Sequence, residues 1–502
     1  MTASRDDDSI VAGSGNRDLK AGYGGVAARG ASATLAGQAI KFLVQFGSIP
    51  ILARLLEPDA FGLVAMVTAV IGIAEILRDF GLSTAAVQAR SLTDRERTNL
   101  FWANSSIGIC CAGLVMLLSW PIAAIYGDGR LGPICLALSV IFFLNGMAAQ
   151  FIAEVNRSMK FVRLAIIDLL PQIVGLAVAV VAAFSGASYW SLVIQQIVAS
   201  AFSLLIAVLL CRWRPGLPCR EVSIVGFVRF GGGLVGTRVM SYFAQNADNV
   251  AIGITAGSAQ LGLYSRAYQL LLLPLQQINV PVSRVAVPIL SRIQDDRQRY
   301  DSVIRRAQLL ACYFTATVFA FVAGVAEPVV RIVFGSQWTE VTPVLAVLAI
   351  GGAFRSVSQV GYWMFVSKGK TGSQFRLYLW TQPLIVVALI AGTAWGIMGV
   401  AVAHSIAYFV FWILLLFFAG RMTNTSVKPL FLDACRSLLL VAMPIGLLSL
   451  LVVSALSFGD FLEIIIAFGA GCSYVGLLAL LVVSVRRDLW LLLTFVKKSM
   501  GK

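Results

Sequence analysis

Lys41, Arg238, Arg266 and Arg355 are basic residues set inside long apolar runs of a 502-residue chain. A charge at the centre of a bilayer costs about 2.5–3.5 kcal/mol on insertion scales, so each such residue needs a function or a partner. Lysine offers a point charge and arginine a bidentate fork, and both suit the capture of an anionic group. The competing account is a structural ion pair, of Lys41 or Arg238 with Glu75 or Asp248. Arg266 falls in the outer half of its apolar segment, where phosphate contact, gating or snorkelling to the surface each account for it. Arg355 fits either role. Arg78 and Arg284 border their apolar runs, as positive anchors or as a landing site for an anionic head group.

The acids near these cations are Glu75, Asp79, Asp168 and Asp248. A carboxylate that exchanges a proton for a cation can couple transport to an ion gradient. The alternative is simple neutralisation of Arg78, Lys41 or Arg238. His404 is the only histidine, and a buried, hydrogen-bonded ring is expected of it. The eight cysteines lack metal-ligand spacing and read as small buried apolar residues. No cofactor or metal is expected; proton or sodium coupling is the only ionic requirement.

These residues must be positioned by membrane helices. The chain is 59% hydrophobic and 13% charged, with a mean hydropathy of +0.86. A soluble domain carries roughly 25% charged residues. The composition therefore predicts an all-α polytopic membrane protein of about fourteen spans, each near the ~20 residues a bilayer requires. The spans fall roughly at 32–53, 59–78, 100–125, 131–153, 164–184, 188–211, 225–247, 259–282, 307–327, 341–366, 375–395, 397–419, 435–456 and 462–485.

Charge placement supports this division. The outside loops hold only Arg54, Arg130 and Arg331 among the basic residues, while Lys41, Arg238, Arg266 and Arg355 lie within spans. The rest of the 39 lysines and arginines fall in the two tails and in every second loop. The positive-inside rule then places both termini in the cytoplasm. Residues 1–29 carry no signal-peptide pattern and are expected to form a disordered tail. A net charge of +15 without a contiguous basic domain gives no case for nucleic acid.

The chain also repeats itself. A shift of 200 residues sets Phe61-Gly62-Leu63 on Leu261-Gly262-Leu263. It also carries the stripe Thr34, Gln38, Lys41, Gln45 and Ser48, spaced 4, 3, 4 and 3, onto Leu234, Arg238, Ser241, Gln245 and Asp248. Such spacing lines one face of a helix, and a polar face should line a cavity rather than meet lipid. Weaker matches pair Pro171 with Pro383 and Gly186 with Gly396. An even number of spans per repeat implies two six-helix bundles related by a pseudo-two-fold axis along the membrane normal, plus two C-terminal helices. The divisions are a tail over 1–29, an N-terminal bundle over 30–211, a cytoplasmic linker over 212–224, a C-terminal bundle over 225–420, the extra pair over 421–485 and a tail over 486–502. Within this plan, 251–259 reads as an outside loop and 292–306 as a mixed-charge amphipathic linker. Pro50, Pro171, Pro274, Pro281, Pro288 and Pro383 should kink their spans.

Three stretches carry a resemblance: Leu56-Glu-Pro-Asp-Ala-Phe-Gly62, Asp79-Phe-Gly-Leu-Ser-Thr-Ala85 and Asn156-Arg-Ser-Met-Lys-Phe161. With the helix plan and the region 230–288, they resemble Wzx-type polysaccharide flippases of the multidrug/oligosaccharidyl-lipid/polysaccharide exporter superfamily. The resemblance covers nearly the whole chain. It implies movement of undecaprenyl-pyrophosphate-linked oligosaccharide across the bacterial inner membrane by alternating access, for exopolysaccharide, capsule or O-antigen assembly. It also implies a monomer among membrane lipids, with a polysaccharide polymerase and co-polymerase as partners. Arg266 is similar in placement to an arginine on the eighth span of lipid II flippases. The cationic cavity would then comprise Lys41, Arg78, Arg238, Arg266, Arg284 and Arg355, with Gln45 and Gln245.

Two alternatives remain open at this point. A small-molecule cation exporter of the same superfamily would need an acidic, aromatic cavity, which the basic residues oppose. A membrane glycosyltransferase or polymerase would need larger outside loops than this chain has.

Overall fold

Apolar runs of this length satisfy their backbone inside lipid only by coiling into helices. A computed structural model describes residues 39–78, 82–88, 92–219, 225–456 and 458–490, and no strand occurs among them. A first helix, α1, covers the described residues 39–55. It is followed by α2 (Pro58–Arg78), α3 (Leu82–Gln88), α4 (Asp94–Tyr126), α5 (Leu131–Arg157), α6 (Phe161–Phe184) and α7 (Trp190–Leu210). Next come α8 (Val225–Arg292), α9 (Arg297–Ala311), α10 (Thr317–Gly324), α11 (Ala326–Val333), α12 (Val341–Val357), α13 (Gln359–Ser367), α14 (Thr371–Gly392) and α15 (Gly396–Thr423). The chain ends with α16 (Val427–Ser437), α17 (Met443–Ala455) and α18 (Asp460–Leu481).

Among the described residues, 10 helices are long and apolar enough to cross a membrane, or up to 11 with one bent pair in α8. The protein is thus a multi-pass membrane protein. Three places account for the difference from the larger sequence count. Helix α1 has a short described length, α8 runs for 68 residues, and Thr371–Thr423 is a 53-residue helical stretch. Both long stretches turn at a glycine in the left-handed region: Gly257 at φ +80 and Gly396 at φ +67. A glycine adopts that φ without the steric cost a side chain would incur. The repeat partner of Gly396, Gly186, has φ +81 after α6, and Pro171 and Pro383 both lie inside helices.

The connection the sequence places over 251–259 is shorter than expected: two helices meet within it at a kink on the single residue Gly257. Within 292–306 the chain becomes helical at Arg297, and Asp296 caps α9 by accepting from the Arg299 N–H at 3.0 Å.

The described residues divide into two compact units. One comprises Met1–Leu55 and Val70–Tyr242; the other comprises Leu56–Ala69 and Phe243–Lys502. In the first unit, the chain after α7 is extended and strapped onto α4. Asn99 donates to the Cys219 carbonyl at 2.7 Å and accepts from its N–H at 2.8 Å. Trp102 donates to the Gly216 carbonyl at 2.9 Å, and Trp213 packs on Phe101 and Phe151.

In the second unit, the C-terminal helices are fixed to α9 and α10. Arg305 forms a bidentate pair with Asp433, whose side chain is 4% exposed. Arg436 joins Asp433 to Asp488, and the Tyr313 hydroxyl donates to Asp488 at 3.1 Å. Above this network, Gly324 and Gly446 let α10 and α17 approach closely: a Cβ on Gly324 would lie 2.4 Å from the Gly446 carbonyl oxygen.

Candidate functional site

A close helix crossing in the second unit joins the start of α2 to α8. A Cβ on Gly62 would lie 1.7 Å from the Ser258 carbonyl oxygen, and a Cβ on Gly262 would lie 1.9 Å from that of Pro58. Only glycine allows backbones this near. The Ser258 hydroxyl donates to Asp59 at the same crossing.

Arg266 stands one turn beyond Gly262. Its guanidinium lies 4.4 Å from the centroid of the Phe61 ring, and Nη1 donates to Gln269 Oε1 at 2.6 Å. Its Nε is buried without a hydrogen-bond partner. No carboxylate forms an ion pair with it among the described residues. A cation–π contact contributes about 0.5–2 kcal/mol. That falls short of the cost of desolvating a guanidinium, which a bound anion would offset. Buried Trp338 packs against Phe61 at 5.5 Å and supports the ring beneath the arginine.

Deeper in this unit lies a second polar cluster. Asp248, 3% exposed, accepts from the Tyr264 hydroxyl at 2.9 Å and from the Asn249 N–H at 2.8 Å. The Tyr264 and Tyr268 rings stack at 5.9 Å. Arg355, on α12, donates to the Tyr268 hydroxyl at 2.8 Å and lies 5.1 Å from the Tyr408 centroid. His404 sits against Tyr408 at 4.6 Å and Tyr268 at 5.8 Å. It is buried as expected, but neither ring nitrogen has a hydrogen-bond partner.

The first unit holds other candidates. Lys41 is partly exposed on α1 and interacts electrostatically with Asp168 on α6. Glu75 accepts from Arg78 at 2.6 Å, the neutralising arrangement weighed above, and Arg78 also reaches the Asn145 carbonyl at 3.5 Å. Gln45 is exposed, as are Gln245 and Arg284 of the second unit. Arg238 lies on α8 with its side chain outside the described residues, and Asp79 lies outside them altogether. The structure therefore brings together Phe61 and Arg266, and separately Asp248 and Arg355. Phe61 entered the sequence reading only through the repeat, and Tyr264, Tyr268 and Tyr408 were not given a role; the signal for the first two tyrosines was their 4-residue spacing on α8.

Residues 51–343, more than half of the chain, match the family model described as "Polysaccharide biosynthesis protein". The chain belongs to this family.

Curated relatives agree. The lipopolysaccharide biosynthesis protein WzxC of Escherichia coli is 26% identical over 348 residues, which cover 68% of this chain and 70% of that protein. The succinoglycan biosynthesis transport protein ExoT of Rhizobium meliloti is 24% identical, covering 71% of each chain. Among solved structures, the lipid II flippase MurJ in an inward closed conformation aligns with a TM-score of 0.67 at 15% identity. The alignment covers 90% of this chain and 99% of that one. A multidrug resistance MATE family transporter aligns with a TM-score of 0.57 at 14% identity, over 79% of this chain and 99% of that one. At such identities the likeness concerns the fold: that of a polytopic helical transporter.

Proposed function

We propose that this family member moves undecaprenyl-pyrophosphate-linked oligosaccharide repeat units from the inner to the outer leaflet of the bacterial inner membrane. It does so by alternating access, for exopolysaccharide, capsule or O-antigen synthesis, as a transporter and not an enzyme. About fourteen spans form two six-helix bundles and a C-terminal pair, with both termini cytoplasmic. The observation that carries this reading is Arg266, a guanidinium inside an apolar helix that has an aromatic face and one amide oxygen but no carboxylate among the described residues. A diphosphate head group supplies the missing charge and the bidentate geometry that arginine favours. Relatives named for lipopolysaccharide and succinoglycan biosynthesis support the sugar-lipid class.

Lys41 and Arg238 extend the cationic path along the repeated stripe, Arg78 and Arg284 serve its cytoplasmic mouth, and Arg355 lies deeper. A polysaccharide polymerase and co-polymerase act on the delivered unit. A cation exporter is disfavoured because a buried guanidinium without a carboxylate repels its substrate. The test is a deletion strain carrying the chain or its Arg266→Gln variant. Lipid-linked repeat units should accumulate on the cytoplasmic leaflet in the variant and not with the unaltered chain. Accumulation of unpolymerised units outside would sink the flippase reading.

A further inference from the structure

Helices α14 and α15 form a hairpin that turns at Gly396, and a cleft of about 720 Å³ opens between them. Its lining runs from Thr381 to Gly392 on α14 and from Met398 to Leu414 on α15, with Trp395 at the turn. Apart from the Trp395 indole, Thr381 is the one polar side chain in that lining, and its hydroxyl is spent on the Leu377 carbonyl at 3.0 Å. An occupant must therefore be apolar along its length.

The first copy of this hairpin closes where the second stays open. Helices α6 and α7 cross at Gly175, where a Cβ would lie 2.9 Å from the Gln195 carbonyl oxygen and 3.1 Å from the Ala199 Cβ. Helices α14 and α15 meet at their turn instead. A Cβ on Gly392 would lie 2.7 Å from the Gly399 carbonyl oxygen, and one on Gly399 2.2 Å from that of Gly392. Counted back from the matched turn glycines Gly186 and Gly396, the position of Gly175 is taken by Ile385, which lines the cleft. A β-branched side chain holds apart backbones that glycine lets touch.

The length of the cleft decides among occupants. On the orientation proposed above, the turn faces outward, and Trp395, 76% exposed, stands where tryptophans mark the membrane interface. From Met398 to Leu414 the cleft follows α15 for about 24 Å, at 1.5 Å per residue. One leaflet supplies only about 15 Å of hydrocarbon, half of the ~30 Å core. An acyl chain of an outer-leaflet phospholipid ends near the midplane and leaves the deep end at Val410 and Leu414 unfilled. A spanning helix of a second copy is about 10–12 Å across, and such contacts favour small residues. The rim here is bulky, with Trp395, Met398, Ile406 and Leu414. A single thin chain longer than one leaflet fits, which is the form of a polyisoprenoid.

We propose that the α14–α15 cleft binds the polyisoprenoid tail of the lipid-linked substrate on the second unit. This rests on the flippase reading above and adds where the tail is held while the head group passes. Lipid chains are as apolar as the cleft, so the hydrophobic effect does not draw the tail into it. Selectivity comes from dispersion contacts along the whole lining, which a chain too short to reach the deep end forfeits.

Photocrosslinking of the purified full-length chain in lipid nanodiscs, with diazirine-tagged undecaprenol as the probe, tests the site. The probe has no phosphate and reports on the tail alone. Label should concentrate within 381–414. Excess undecaprenol should lower it severalfold, and equal amounts of farnesol or dioleoyl phosphatidylglycerol should not. Ala407→Phe, which fills the cleft, should lower it severalfold, as should Val402→Trp on the exposed rim, where folding is less burdened. Label spread evenly over the lipid-facing helices overturns the proposal. Equal displacement by phosphatidylglycerol makes the cleft an acyl-chain site and overturns it too. So does a dimer, seen by native mass spectrometry, in which the cleft is no longer labelled. In liposomes, the ratio of undecaprenyl to farnesyl pyrophosphate-linked flipping should fall severalfold in both variants, and an unchanged ratio overturns the proposal. No flipping by the unaltered chain beside label confined to the cleft would count against the flippase reading while upholding the tail site.

Discussion

Gly62 and Gly262 lie 200 residues apart in sequence, and each clears the way for the backbone of the other's helix. Gly62 faces the carbonyl of Ser258, and Gly262 faces that of Pro58. Positions 58 and 258 keep the same 200-residue offset, so the contact is its own image under the repeat. Arg266 and Phe61 stand on either side of that crossing, so the glycines set how near the cation comes to the ring.

The crossing should not tolerate a methyl group. Gly62→Ala and Gly262→Ala should each destabilise the folded protein by about 1–3 kcal/mol, as overpacking does. Because both act on one contact, the double variant should cost less than the two single costs together. Thermal unfolding in detergent of the four proteins measures this, and strict additivity would mean that the two glycines do not share a contact.

Asp433 is the hub that ties the C-terminal helices to α9. Asp433 is buried while Arg305 is half-exposed, so losing its charged hydrogen bonds should cost about 1.5–3 kcal/mol. Asp433→Ala should therefore lower the unfolding temperature clearly. Arg305→Lys should lower it less, since a point charge remains in place of the fork. An unchanged melting curve for Asp433→Ala would remove the hub role.

Asn99 satisfies both backbone groups of Cys219 and holds the extended segment after α7 against α4. Asn99→Ala should cost about 1–3 kcal/mol from two lost hydrogen bonds. Limited proteolysis is the better readout: cleavage between 212 and 219 should quicken in the variant. Equal cleavage rates would show that the aromatic packing of Trp213 suffices without Asn99.

The repeated stripe makes a separate prediction. Neutralising both Lys41 and Arg238, as Lys41→Gln with Arg238→Gln, should abolish polymer export while the protein remains in the membrane. Export at the normal level, with normal membrane content, would deny these residues a place on the substrate path.

Much of this was legible in the sequence, for stated physical reasons. Lipid forces helices on apolar runs, so the all-α architecture followed from composition. The Gly62 and Gly262 match was legible because close packing demands the same small residue in both copies. The Glu75–Arg78 pair was legible because three residues on a helix bring side chains together. What failed was non-local or conformational. Positions 251–259 looked like a loop, yet only Gly257 leaves the helix. The partners of Arg355 lie 87 residues away at Tyr268 and on another helix at Tyr408, so no spacing rule could find them. The Arg305–Asp433–Arg436–Asp488 network joins three segments distant in sequence.

The account stands or falls on Arg266. The direct measurement places purified protein in liposomes with fluorescent undecaprenyl-pyrophosphate-linked oligosaccharide and follows its accessibility to a quencher outside. The unaltered chain should expose the inner-leaflet pool. Arg266→Gln should leave that pool protected, while remaining folded and inserted, and Arg266→Lys should retain part of the activity. Flipping by Arg266→Gln at the rate of the unaltered chain would contradict the role assigned to this guanidinium.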